Sequence, residues 1–348
     1  MNGKKALRPV QLLATALPLA LLLLAGHPLL PVEQTGVTAP SDLAALPPAA
    51  VQGLSFSVAT GGAATETGVH PADILGIGGA PLISCENLGL LCYGASDNVD
   101  DIASLSFGDD FGDDDLPSLQ FSVDGAARGR AGSAVRSEAD CTPAEAQADA
   151  FQTALDGHNS QTLDGDGAAC ANGEGYGLSL AEDAAADMID ALARDPCLTV
   201  DLNCDGTPDA PFYLTLAPGS PTLDLIGATA ADILVTGYEY TSIVWAAGIE
   251  TLGLAAGDAI DGLCLSEDGD GVYGEGDVVV ISLAPGSPTL AQLGAEPGDL
   301  LGIAPLRKIA SASALGLERA DNVDALICAN AIPQATTGEL YLPLIQQQ

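Results

Sequence analysis

The chain has 348 residues, 47 of them acidic against 10 basic, and a formal net charge of −37. That balance excludes nucleic acid and anionic membrane as partners, because both need basic surface. A hydrophobic share of 47% and a mean hydropathy of +0.29 exclude an intrinsically disordered chain and leave enough apolar material for a large core.

In chain order, Lys4, Lys5 and Arg8 precede the apolar run "QLLATALPLALLLLAG", which Pro18 interrupts. A charged start followed by a short apolar stretch predicts a secretory signal peptide over 1–26. It is shorter than the ~20 apolar residues a spanning helix needs. Cleavage is placed near Ala25–Gly26, with Ala39 as a second small-residue site. No later stretch is apolar enough to span a bilayer, so the expectation is a secreted or surface-exposed mature chain without a membrane span. Residues 27–52 are proline-rich and read as a leader.

The stretch "LAPGSPTL" occurs at Leu216–Leu223 and again at Leu283–Leu290, and the match extends both ways. One copy reads "FYLTLAPGSPTLDLIGATAADILV" and then "SIVWAAGIETLGL" and "IDGLCL". The other reads "VVISLAPGSPTLAQLGAEPGDLLGI" and then "SALGLERADNVDALICA". Earlier copies are visible in "LSFSVATGG…ADILGI…LGL" and, more divergent, in "LQFSVDGAARGRAGSAV". The boundaries predicted are repeat one at 53–118, repeat two at 119–211, repeat three at 212–278 and repeat four at 279–329. Residues 330–348 form a tail.

Within a unit, "FYLTL" or "VVISL" is strand one. Ser220 or Ser287 stands at a helix N-cap with Pro221 or Pro288 behind it, and Gly227 or Gly294 ends the turn. "DILV" and "SIVWAAG" are the second and third strands, and the "LGL" glycine reads as a left-handed helix terminator. "IDGLCL" is the fourth strand. Four units of about 65 residues and four strands predict a mainly β fold arranged as a propeller-like ring, which removes free sheet edges. Tandem β-sandwiches are the alternative. In repeat two, "TPAEAQADAFQTAL" and "SLAEDAAADMIDALARD" read as a small helical insertion.

Eight cysteines follow the leader. An even count in an exported chain reads as disulfides. Spacing leaves the connectivity open; the first assignment takes the close pairs Cys85–Cys92 and Cys197–Cys204, then Cys141–Cys170, and so Cys264–Cys328.

The acids are patterned. "DLNCDGTPD" between repeats two and three sets Asp201, Asn203 and Asp205 at alternate positions, then Gly206 and Asp209. "SEDGDGVYGEGD" between repeats three and four sets Ser266, Asp268, Asp270 and Asp277 at positions one, three, five and twelve. Alternate oxygen-bearing side chains around a glycine turn can converge on one hard cation, so both loops are candidate calcium sites. They depart from the EF-hand pattern: Phe212 replaces the twelfth-position acid in the first, and serine leads the second. Both resemble the aspartate-rich loops of dockerins and thrombospondin type 3 repeats. Solvated acidic turns are the plain alternative, and a saline habitat would produce a similar composition. "TLDGDGA" (Asp164, Asp166, Gly167) is a partial match with no twelfth acid.

A second acidic pattern recurs at Asp97–Val99–Asp100, Asp187–Ile189–Asp190, Asp258–Ile260–Asp261 and Asp321–Val323–Asp324. The first aspartate reads as a turn residue bonded to backbone N–H groups, with the apolar residue entering the core. The bolder expectation is that one acid per copy lines a ring axis and shares a cation.

Nothing reads as a catalytic constellation. The chain beyond the leader keeps only His70 and His158, and no G-x-S-x-G, P-loop or H-E-x-x-H motif occurs. The expectation is a non-enzyme that binds an extracellular protein or glycan. The alternative is a carbohydrate-active enzyme or binding module, since so many carboxylates would hide an acid pair. The LAPGSPTL, ADIL, LGL and DNVDAL modules resemble those of secreted bacterial repeat proteins of uncharacterised function, across nearly all of 53–329. That resemblance implies export and supplies no catalytic residues.

Overall fold

A computed structural model describes residues 54–92, 99–108, 110, 115–167, 170, 178–182, 186–194, 211–236 and 243–328, with side chains at 115–118 left out. The leader, the tail, and Asp97, Cys197, Cys204, Asp201, Asn203, Asp205 and Asp209 therefore lie outside the described residues.

Among the described residues sixteen strands form four antiparallel sheets. The first sheet uses β1 (Ser55–Val58), β2 (Ile74–Gly76) and β3 (Pro81–Ile83). The second uses β4 (Ile102–Gly108), β5 (Asp115–Val123), β6 (Ala150–Thr153) and β7 (Ser160–Leu163). The third uses β8 (Ile189–Ala193), β9 (Phe212–Leu216), β10 (Ile233–Thr236) and β11 (Ile243–Ala246). The fourth uses β12 (Ile260–Ser266), β13 (Val278–Leu283), β14 (Leu300–Gly302) and β15 (Arg307–Ala310). The last strand, β16 (Val323–Ile327), pairs antiparallel with β1 (Phe56 opposite Leu326), so the first sheet runs β16-β1-β2-β3 and the chain ends close a four-bladed propeller-like ring. The innermost strands β4, β8, β12 and β16 pack against one another around the centre. Among the described residues no helix is long and apolar enough to cross a membrane.

Sequence repeat and sheet are offset by one strand. "IDGLCL", the last strand of repeat three, is the innermost strand of the fourth sheet, and "DNVDALI" of repeat four is the innermost strand of the first.

Four apolar cores fill the spaces between neighbouring sheets, which explains why the strands are apolar nearly throughout. In β9, Phe212 and Leu214 enter the core between the second and third sheets, while Tyr213 enters the core between the third and fourth. Alternation along a strand, with a partner sheet on either face, makes both sets of positions apolar.

The glycine and proline grammar holds. The short helices Pro221–Ile226 and Pro288–Leu293 begin on proline and end on Gly227 and Gly294, with φ of 72° and 60°. The "LGL" glycines Gly89, Gly253 and Gly316 are likewise left-handed. Ser220 and Ser287 stand at the N-caps as expected, but no side-chain cap bond forms: their hydroxyls accept instead from Met188 N and Ala259 N at the foot of the inner strands.

The helical reading of repeat two is corrected. "TPAEAQADAFQTAL" contains one 3-10 turn, Ala146–Ala148, and then β6; "SLAEDAAADMIDALARD" ends in β8. The repeat's helix lies earlier, at Ala134–Ala139, capped by Ser133 Oγ. Alanine favours helix locally, but Phe151 pairs with Phe121 and is fully buried between sheets, and packing of that kind outweighs a few tenths of a kcal/mol per residue.

Three predicted disulfides are present: Cys85–Cys92, Cys141–Cys170 and Cys264–Cys328. Near the last of these, buried Asp110 reaches from the β4–β5 connection and accepts hydrogen bonds from Leu265 N and Cys328 N, 3.0 Å each. One carboxylate thus ties three sheets together. Asp110→Ala leaves two buried amides without their acceptor and should cost about 2–4 kcal/mol, read as a lower urea midpoint. Asp110→Asn, which still accepts one bond, should lose less; equal midpoints for all three proteins would refute the clasp.

Candidate functional site: carboxylates at the axis and in the joints

Two aspartates open each innermost strand, and they do different work. Asp187, Asp258 and Asp321 each join the segment leaving one sheet to the short helix of the next. Asp258, for example, takes Ala255 N at 2.6 Å and Thr289 N at 2.9 Å. Asp187 holds Ala181 N and Thr222 N, and Asp321 holds Glu318 N and Ala64 N. This is the turn role that the sequence pattern predicts. In the first copy the frame shifts: Asp100 does this work, taking Leu91 N, Arg128 N and Gly129 N.

The second aspartate of each motif sits at a β-bulge. Ladder register slips between Ile189 and Ala191, between Ile260 and Gly262, and at the β16–β1 pair around Asp324, with the same slip at Ala103 in β4. The bulge residue is the extra one, so Asp190, Asp261 and Asp324 drop out of the alternation that sends their neighbours into the inter-sheet cores. Val323 faces one core and Ala325 the opposite one, although only one residue separates them. In the second sheet the bulge holds Ala103, and the acid is Asp101, just before β4.

The four acids, Asp101, Asp190, Asp261 and Asp324, act on one another. Burial pushes Asp101 up to about 8, with the charges of Asp124 and Asp261 adding to it. Burial and Asp261 push Asp190 up to about 8, and burial pushes Asp261 up to about 7 while the Asn322 amide, donating to its Oδ2, pulls it down. Asp324 keeps partial solvent exposure yet is the most crowded by charge: burial, then Asp101, Asp261, Asp190 and Asp124, all raise it. Asp190, Asp261 and Asp324 thus meet from three of the recurrent motifs, while in the second sheet the acid is Asp101, one residue beyond the Asp97–Val99–Asp100 motif that the sequence singles out.

Three hydroxyls that the sequence reading missed tie inner strands to the preceding sheet. Ser57, Ser122 and Thr215 donate to Ile102 O, Ile189 O and Ile260 O of the following sheet, whereas Ser282 at the same place in the fourth sheet makes no such bond. The signal was present as a Ser or Thr at one position of each otherwise apolar "FSV", "FSV", "LTL" and "ISL".

In the loop between β12 and β13, Asp268 and Asp277 come together with Glu267, their oxygens within 4.8 Å of one another. Ser266 closes β12 opposite Val278, and Asp270, bonded to Val272 N, stands outside that group. Glu267 was not anticipated; it is buried, and it takes Gly269 N and Gly271 N, while Asp277 takes Asp268 N and Gly274 N. The loop therefore wraps its own amides around carboxylates. Burial, followed by neighbouring acid charge, still raises both Glu267 and Asp277. An oxygen-only cluster of this kind can hold a hard cation. Glu138, Cys141, Glu145 and Cys170 also cluster within 4.8 Å, but the two sulfurs are joined in a disulfide and are not ligands.

His70 and His158 serve backbone turns: His70 N donates to Asp73 and His158 N to Asp156. No family model, no curated protein and no solved structure matches this chain.

Proposed function

We propose that the chain is an exported, calcium-stabilised propeller scaffold that binds an extracellular protein or glycan without turning it over. The observation that carries this reading is the clustering of buried or half-buried carboxylates, at the axis and in the β12–β13 loop, within a chain of net charge −37. Self-repulsion of that size destabilises a compact state unless cations offset it, and calcium fits an all-oxygen donor set. The charged, apolar N-terminal stretch and the even cysteine count support export.

Thermal unfolding in modest salt tests the reading. Calcium at about a hundred times its dissociation constant should add roughly 2.7 kcal/mol, and EDTA should remove that increment. A melting temperature indifferent to both would end the proposal. The carbohydrate-active alternative draws on the axial acids: Asp190 near 8 and Asp261 near 7 lie where a general acid is protonated at neutral pH. Turnover of any polysaccharide, lost in Asp261→Asn, would favour that alternative.

A further inference from the structure

We propose that Asp149, Asp164 and Glu182 bind one hard divalent cation, of the calcium class, in the outer loops of the second sheet. The site goes beyond the joints and the axis and does not require either to bind metal.

The fourfold repeat supplies the comparison. An aspartate stands just before the third strand of every sheet: Asp73, Asp149, Asp232 and Asp299. In three sheets it is fully used. One oxygen takes the amide three residues earlier (His70, Thr229, Glu296), and the other takes the amide two residues beyond the next strand (Cys85, Gly248, Ala312). Asp149 keeps the second bond, from Gly165 N at 2.9 Å, but its Oδ2 is buried and receives no donor.

Two further acids stand where the other copies have none. Asp164 occupies the position held by Ser84, Ala247 and Ser311, immediately after the fourth strand. Glu182 follows Ala181, the residue whose amide reaches the recurrent turn aspartate; Cys92, Ala256 and Arg319 hold that place elsewhere. Asp149, Asp164 and Glu182 each offer an oxygen within 4.8 Å of the others. Asp149 is 1% exposed and Glu182 4%; among the described residues no amide or hydroxyl donates to Glu182, and the groups within hydrogen-bonding reach of it are the carboxyls of Asp149 and Asp166.

Gly165 holds the place of Cys85, Gly248 and Ala312 in the other sheets. A Cβ there would lie 2.9 Å from Ala148 O, and Gly248 comes just as close to Ala231, so the glycine reflects a close backbone approach common to the repeat. At Gly165 the same Cβ would also run into Glu182 Oε1, which places that carboxyl against the turn.

The surroundings are anionic throughout. Burial pushes Asp149 up to about 8, with Asp164 and Glu138 adding charge, and pushes Glu182 up to about 10, with Asp149 and Asp166 adding charge. Glu138 and Glu145 lie nearby, raised by burial and then by Asp164 or Asp166. A proton held between Asp149 and Glu182 would relieve that pair but leave Asp164 facing it. A cation relieves all three. Donors that are oxygen alone select a hard ion over zinc or copper.

Calorimetric titration of the full chain with calcium chloride, after chelator treatment, tests the site. Glu182→Gln should lose one calcium equivalent relative to wild type, whereas Asp268→Asn/Asp277→Asn should retain that equivalent whether or not the loop binds. In EDTA, Glu182→Gln should melt no lower than wild type, because the amide replaces a carboxyl that burial keeps neutral and can still donate to Asp149. Calcium should then raise its melting temperature less than that of wild type. Equal stoichiometry in folded wild type and Glu182→Gln would overturn the proposal in favour of a shared proton. Should the variant not fold, wild-type crystals in millimolar manganese decide: an anomalous peak between the three carboxylates supports the site, and its absence refutes it.

Discussion

Stability in EDTA and modest salt is expected to fall as the pH rises from 5 to 8, and Asp261→Asn is expected to make that fall smaller. The axial carboxyls have folded-state values raised above the ordinary range: Asp101 and Asp190 near 8, Asp261 near 7, and Asp324 raised as well. Between the unfolded and folded values the native chain holds protons that the unfolded chain has released. Their contribution is therefore complete below about pH 4 and disappears as pH climbs through the folded values. Asp149 and Glu182 act in the same direction. Because the acids titrate as a group, the loss belongs to the set and not to one residue.

One group displaced this far loses on the order of 3 kcal/mol across that interval. In a chain of this size such a loss lowers the melting temperature by roughly 5–10 °C. Asp261→Asn can still accept the Asn322 bond and takes one charge from the centre, so its curve should be flatter and its stability at pH 8 higher. Denaturation curves at pH 5, 6.5 and 8 settle the matter. Stability that climbs with pH in EDTA would mean the axial acids are not held protonated. If calcium content is unchanged in Asp261→Asn/Asp324→Asn, the axis holds no shared cation.

Loss of the Cys264–Cys328 disulfide should cost about 4 kcal/mol, by the loop-closure entropy of a cross-link across 64 residues. The bond joins β12 to the residue after β16, at the place where the last strand must stay paired with the first. Both cysteines are buried, so Cys264→Ala/Cys328→Ala also leaves unfilled volume. The double variant should melt roughly 8–16 °C lower, and reductant should destabilise wild type in the same sense. A melting temperature within a degree of wild type would mean that β16–β1 pairing, and Asp110 beside it, hold the ring shut unaided.

The sequence by itself determined the local grammar. Repetition of "LAPGSPTL", "ADIL" and "LGL" specified four like units, and the proline starts and glycine stops of the short helices follow from the backbone freedom of those two residues. The turn aspartates were legible because one partner of each is local, the amide of Ala181, Ala255 or Glu318, although the other lies on a helix far along the chain; the loop that carries Asp268 and Asp277 was legible too. What lay beyond reach depended on residues distant in the chain. The offset of sheet and repeat arises because β16 pairs with β1, a pairing that no local pattern encodes. Alanine-rich segments of repeat two read as helix until neighbouring sheets buried Phe151 and Ile189 in strands. Bulges turned Asp190, Asp261 and Asp324 away from both cores, and folding brought Glu182 to Asp149 across 33 residues of chain. Charge spacing along a chain fixes which loops are acidic. Which carboxylates are desolvated together depends on how the sheets close.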